Sequence, residues 1–279
     1  MRYVRAALIA AVLLAMAISV HADKGFFFVQ LADTQLGFGD SNLTQDIASF
    51  HKAVEHINRL QPAFVIISGD LINSSHNPKQ TREFWKVARE IKQDIPLYLV
   101  PGNHDIGQAT AANVNSYIKL FGKDHYAFSC GGSEFIVLDS PVIYDSDSDQ
   151  ALRADQRKWF EDELATARKK NPEHIFVCTH HPWFFITVDE KDDYSNIPQD
   201  QRRDYLGLMK QYGVEFSFAG HFHQNAIAKD GSLQIVITSA VGRALGKDPL
   251  GLRIWKVYPD RVEHTYYSLD NVPEKISVK

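Results

Sequence analysis

Asp33, Gln35, Asp70, Asn103, His180, His221 and His223 bring carboxylates, amides and imidazoles to positions just beyond apolar runs. Two divalent cations about 3.5–4 Å apart call for a shared carboxylate and several neutral nitrogen or oxygen ligands each. Asp70 suits the bridge, because each of its oxygens can reach a different ion. Asp33, Gln35 and His223 then complete one position, and Asn103, His180 and His221 the other. Such a ligand set suits manganese, iron or zinc better than thiolate-loving metals. A hydroxide between two such ions is a nucleophile at neutral pH, since the ions lower its pKa. His104 is placed to stabilise or protonate a leaving oxygen, with Asp105 orienting its ring.

Taken singly, these residues prove little. Asp is common after strands as a turn former, and Asn103 follows Pro101-Gly102, a turn in its own right. His221-Phe222-His223 says more, because alternation puts both imidazoles on one side of an extended segment. The weight lies in the elements that must deliver the set. "FFFVQLA" (26–32), "FVIIS" (64–68), "LYLV" (97–100), "IFVCTH" (175–180) and "VEFSFAG" (214–220) read as core strands. Each ends in Asp, Asn, His or Gln, at the sheet edge where α/β folds form ligand sites. Helical patterns at 43–60 and 81–93 alternate with the first strands, which predicts βαβ units and parallel pairing. Further strands are expected at 135–139, 233–240 and 251–258, with helices at 153–169 and 201–212. Buried sheets with helices outside, in layers, is the economical arrangement.

Residues 1–22 read as a signal peptide, with Arg2 and Arg5, an apolar stretch from Ala6 to Val20, and cleavage after Ala22. The stretch is short for a membrane span, so an exported, periplasmic or secreted protein without a stable membrane anchor is expected. Residues 23–279 form one domain, free of repeats or long linkers. Removing the leader takes away two Arg and no acid, leaving 28 basic residues against 34 acidic ones. That bias disfavours nucleic-acid binding, whereas bound ions would still attract a phosphorylated substrate. Cys130 and Cys178 are compatible with a disulfide or two thiols. Cys178, inside an apolar run, reads as a buried thiol. "YDSDSDQ" (144–150) reads as a solvated turn.

"GD" at 69–70, "GNHD" at 102–105, the H-x-P of "HHP" at 180–182 and "GHFH" at 220–223 resemble the calcineurin-like metallophosphoesterase superfamily, in order and strand context. The resemblance covers about residues 26–275. It implies a four-layer α/β–β/α sandwich of two mixed β-sheets flanked by helices, and metal-dependent hydrolysis of phosphate esters. It also makes His180 the ligand and His181 a neighbour of the site. The superfamily's usual first motif is Asp-x-His, and this chain has Asp33-Thr34-Gln35. That departure resembles the Asp-x-Gln subgroup of calcineurin-like phosphoesterase-domain serine/threonine phosphatases, as do "GHFHQNA" (220–226) and "LGKDPLGLR" (245–253). Purple phosphatases have a Tyr three residues after the second-motif Asp; here that position is Asn73, so a tyrosinate-coordinated iron is not expected.

Gln35 keeps a hard oxygen donor where imidazole is usual, so its ion is expected to bind the more loosely. The long stretch 183–203 reads as a rim over the ions. Tyr194, Asn196, Arg202 and Arg243 are the candidates for contact with a phosphoryl group. The expected activity is hydrolysis of phosphomonoesters, small or on protein. The alternatives are a phosphodiesterase for nucleotides or phospholipid head groups, and a catalytically degenerate metal-binding protein.

Overall fold

The computed structural model describes residues 25–39, 43–145 and 149–278. Residues 1–22, read as a leader, and the middle of the 144–150 turn lie outside them. The described elements run β1 (Phe26–Leu31), α1 (Thr44–Leu60), β2 (Val65–Ile67), α2 (Pro78–Ala88), β3 (Leu97–Leu99), α3 (Asn103–Ile106), α4 (Ala111–Phe121), β4 (Tyr126–Cys130) and β5 (Ser133–Val137). There follow α5 (Ser140–Tyr144), α6 (Gln150–Lys169), β6 (Ile175–Cys178), α7 (Gln199–Gln211), β7 (Phe216–Ala219), β8 (Ala226–Asp230), β9 (Leu233–Ile237), β10 (Gly251–Val257) and β11 (Val262–Ser268).

The strands form two mixed sheets, ordered β11-β10-β1-β2-β3 and β4-β5-β6-β7-β9-β8. The β1-β2-β3 and β5-β6-β7-β9 runs are parallel. Strand alternation assigns each face its neighbour. Val29, Leu31, Val65 and Ile67 pack with Phe50 and Ile57 of α1, Phe84 of α2 and Tyr117 of α4. On the second sheet, Ile136, Val177 and Ile235 pack with Phe160 of α6 and Met209 of α7. The opposite faces meet in a third core of Phe28, Phe64, Phe135, Phe176, Phe218 and Trp255. Four layers result: helix, sheet, sheet, helix.

Phe28 is the hub of that inter-sheet core. It stacks on Phe64 and Trp255 at ring separations of 4.6 and 5.6 Å, and meets Phe135 edge-on at 5.5 Å. One polar residue crosses the core beside it. The Gln30 amide donates to Ser68 Oγ (2.8 Å) and the Ala219 carbonyl (3.1 Å) and accepts from Thr238 Oγ1 and Trp255 Nε1 (both 3.0 Å). Two partners belong to each sheet side, and both donors and both lone pairs of the amide are used.

The expected sandwich and its core strands are present, with differences at the margins. Helix α2 starts at Pro78 rather than 81, because the Asn77 side chain caps it, accepting from the Lys79 and Gln80 amides. It ends at Ala88 rather than 93. Strands β4, β8 and β11 and helix α4 were not expected. Both Cys130 and Cys178 are free thiols, and burial pushes the Cys178 thiol well up. Among the described residues no helix is long and apolar enough to cross a membrane.

Phe28→Ala should lower the unfolding free energy by about 3–5 kcal/mol, the usual consequence of emptying a packed aromatic site. A urea titration checks this, and a loss below about 1 kcal/mol would show that the sheets are held by something else.

Candidate metal centre

All of the expected ligand residues follow the carboxyl ends of parallel strands, and the two sheets present those ends at the same edge. Asp33 and Gln35 follow β1, Asp70 follows β2, and Asn103 opens α3 after β3. His180 follows β6, and His221 and His223 follow β7. His180 is the centre of the cluster. Its Nε2 lies 3.0 Å from Asn103 Oδ1, 3.1 Å from His221 Nδ1 and 3.3 Å from Asp70 Oδ2. Asp33 Oδ1 is 3.9 Å from His180 Nδ1 and 3.5 Å from His223 Nε2. Asp33, Asp70, His180, His221 and His223 are all buried.

Backbone carbonyls decide which ring nitrogens face inward. His180 Nδ1 donates to the Ser68 carbonyl, His221 Nε2 to that of Tyr194, and His223 Nδ1 to that of Arg243. Each imidazole is thereby left to turn its other nitrogen on the cluster, the usual arrangement for ligating histidines. Backbone N–H groups do the same for the carboxylates: His221 donates to both Asp33 oxygens, and His104 to Asp70 Oδ1 at 2.9 Å.

Gln35 answers the question raised by the Asp-x-Gln motif. Its backbone N–H donates to the Asp70 carbonyl at 2.8 Å, and its Nε2 donates to Asn73 Oδ1 at 3.3 Å. Its Oε1 is buried and has no hydrogen-bond partner. A buried carbonyl oxygen without a partner is costly, and a bound cation would satisfy it. The donor set therefore fits metal ions: carboxylate and amide oxygens and imidazole nitrogens, with acceptors turned together and donors turned away.

Proton affinities say the same. Burial pulls the His180 imidazole down, but the adjoining Asp70 carboxylate prevails and holds it up at about 9. Burial would raise Asp70, yet the imidazoles of His180, His104 and His221 bring it below the usual carboxylate range. Burial, reinforced by His180, pushes His221 down to about 4. Without an ion, a proton on His180 is the cation that the acceptors share.

The backbone is strained here. Nine described non-glycine residues have positive φ, and five of them are Asp33, Gln35, Asp70, His221 and His223. Left-handed conformations at such residues cost about 1–3 kcal/mol each and gather at functional sites. Two glycines allow the close approach. A Cβ at Gly69 (φ +84°) would lie 2.4 Å from His180 Nδ1, and one at Gly102 would lie 2.1 Å from the Asp70 amide nitrogen.

Some expected roles are corrected. Asp105 does not orient the His104 ring. Its carboxylate accepts from the amides of Leu71, Ile72 and Gly102, which locks the β2 and β3 loops together. The His104 ring is held by Nδ1 donating to the Asn73 carbonyl at 2.7 Å. Asn196 and Arg202 are buried and support the rim rather than face a substrate. Arg202 donates to the carbonyls of Val188, Glu190 and Ile197, and Asn196 Nδ2 to Glu190 Oε1. Tyr194 does reach the centre, and Arg243 is exposed above Phe38, whose ring packs on His223.

Two residues with a part in the centre escaped the sequence reading. Asn73 holds both Gln35 and His104. Ser140, which opens α5 just after β5, accepts at Oγ from the amides of His180 and His181. The run "FIVLDS" is a sixth strand with a polar end, which was the available signal for Ser140.

Residues 28–225 match the calcineurin-like phosphoesterase family. The chain belongs to that family. It is 36% identical over 267 residues to serine/threonine-protein phosphatase CPPED1 of Mus musculus, across 89% of this chain and 86% of the mouse protein. Its fold is that of a dimetal phosphatase from Danio rerio (TM-score 0.68, 16% identity, 88% of this chain and 97% of that one). GAP50, the anchor in the inner membrane complex of Plasmodium, shares the fold too (TM-score 0.69, 15% identity, 92% and 88% covered). This phosphoesterase is a metal-dependent phosphoric ester hydrolase, with residues that could hold the family's dinuclear centre in place.

Gln35→Leu removes the unpartnered oxygen at similar volume. Bound metal should fall from two ions towards one per chain after dialysis, read by elemental analysis, and two retained ions would exclude Gln35 as a ligand. Asp70→Asn should lose metal and turnover together.

Proposed function

We propose that this chain is an exported phosphatase with two metal ions that acts preferentially on phosphomonoesters. The observation that carries the catalytic part is the convergence of inward-turned acceptors around His180, with Gln35 Oε1 left unpartnered. Asp33, Gln35, Asp70 and His223 would hold one ion, and Asp70, Asn103, His180 and His221 the other. The mixed oxygen and imidazole donors suit manganese, iron or zinc. Bound ions supply positive charge to the phosphoryl oxygens and an activated water.

The chain's own contribution is placement. The His104 ring stands beside Asp70, its backbone N–H on that carboxylate and its Nδ1 fixed on Asn73. Nε2 is then the nitrogen that faces the leaving oxygen and carries the proton to it. Arg243, exposed near His223, is placed to attract the phosphate. The preference for monoesters rests on the similarity to CPPED1, a serine/threonine-protein phosphatase by name. Export rests on residues 1–22, with their two Arg and the apolar run that follows. An exported enzyme meets small phosphorylated molecules as well as phosphoproteins.

Restoring manganese, iron or zinc to the stripped protein, residues 23–279, should restore hydrolysis of a phosphomonoester and leave a phosphodiester the poorer substrate. Faster turnover of the diester would reverse the preference. No turnover of either by a chain loaded with metal would make this a binding protein. His104→Ala should keep the metals and lose turnover by about 10²–10⁴-fold; loss of metal instead would make His104 a ligand.

A further inference from the structure

Tyr194 is where the rim segment meets the metal centre, and it meets two ligands of the same position. Its hydroxyl lies 3.2 Å from Asn103 Nδ2, and its backbone carbonyl lies 3.1 Å from His221 Nε2. Its ring packs 5.0 Å from the His221 ring. Each contact removes an ambiguity. An amide has a donor end and an acceptor end, and an ion takes only the acceptor. With Nδ2 donating to the Tyr194 hydroxyl, Asn103 Oδ1 is turned towards His180 Nε2, 3.0 Å away. A neutral imidazole has one proton to place. The Tyr194 carbonyl takes it on Nε2 of His221, so the lone pair is on Nδ1, the atom 3.1 Å from His180.

The residue that does this is 61% exposed, yet its segment is firmly held. Arg202, fully buried, takes three backbone carbonyls of the rim. The Glu190 carboxylate collects the amides of Phe185, Ile186 and Thr187 together with Asn196 Nδ2. Asn196 in turn accepts from the Asp193 amide, next to Tyr194. The rim is thus a small folded unit with its own polar core, and Tyr194 is its contact with the ligands.

We propose that Tyr194 is a positioning residue that sets Asn103 and His221 together, which makes the rim a working part of one metal position. The inference rests on the metal reading above. It differs from direct contact with the phosphoryl group, the role expected of Tyr194 from the sequence.

The test is a calorimetric titration of Mn²⁺ into metal-stripped protein, which reads binding without reference to turnover. Tyr194→Phe should weaken one of two binding steps by about 10–100-fold, as loss of a partner behind a ligand does, and leave the other step unchanged. In an Asn103→Asp background the same substitution should change neither step, because a carboxylate presents an oxygen whichever way it turns. If wild-type protein binds two ions and Tyr194→Phe binds them equally well, the inference is overturned and the metal reading stands. An equal loss in the Asn103→Asp background also overturns it, since the hydroxyl then acts other than through the amide. Wild-type protein that binds no ion removes both.

Discussion

Two buried carboxylates and three imidazoles turn their electron-rich atoms on one another at the edge shared by the two sheets, and Gln35 in the same loops buries an amide oxygen without a partner. Bringing these groups together is costly, because like partial charges in a poorly screened interior repel. The fold supplies what opposes that repulsion. Backbone amides grip Asp33 and Asp70, and backbone carbonyls draw the imidazole protons to the outer side. The remaining deficit of positive charge is what a cation supplies. A fold does not by itself fix an activity, so the side chains rather than the sandwich carry the chemistry.

Core strands and ligand residues were readable because both leave a mark in residue type. A buried parallel strand is an unbroken apolar run, and the polar residue that ends it stands out. Strands β4, β8 and β11 leave a fainter mark. Each is the edge of a sheet, exposed along part of its length, and β8 carries Lys229 while β11 carries Glu263 and His264. The partners that orient the ligands were less readable still. Ser68, Tyr194 and Arg243 act on the histidines through their carbonyls, which every residue has, so no choice of side chain announces them.

Errors at the rim have the opposite origin. Asn196 and Arg202 carry polar groups that suit a phosphate, yet residue type does not report exposure. Both are buried, because a loop with few backbone partners of its own needs polar side chains to close it. Asp105 is a similar case: next to His104 in sequence, its carboxylate belongs to three backbone amides instead of the ring. Its burial and the charge on Asp70 push its pKa well up, against those amides. A polar residue beside a site is as often part of its frame as of its chemistry.

The Gln30 amide, saturated by two partners on each side of the inter-sheet core, has a meaning for the ions as well as for the core. The residues of the centre come from both sheets: Asp33 and Asp70 from one, the histidines from the other. Sliding one sheet along the other would change every distance across the centre, and would first have to break the bonds of Gln30. The registration of the two sheets is therefore held by a side chain that belongs to the core, close in sequence to Asp33.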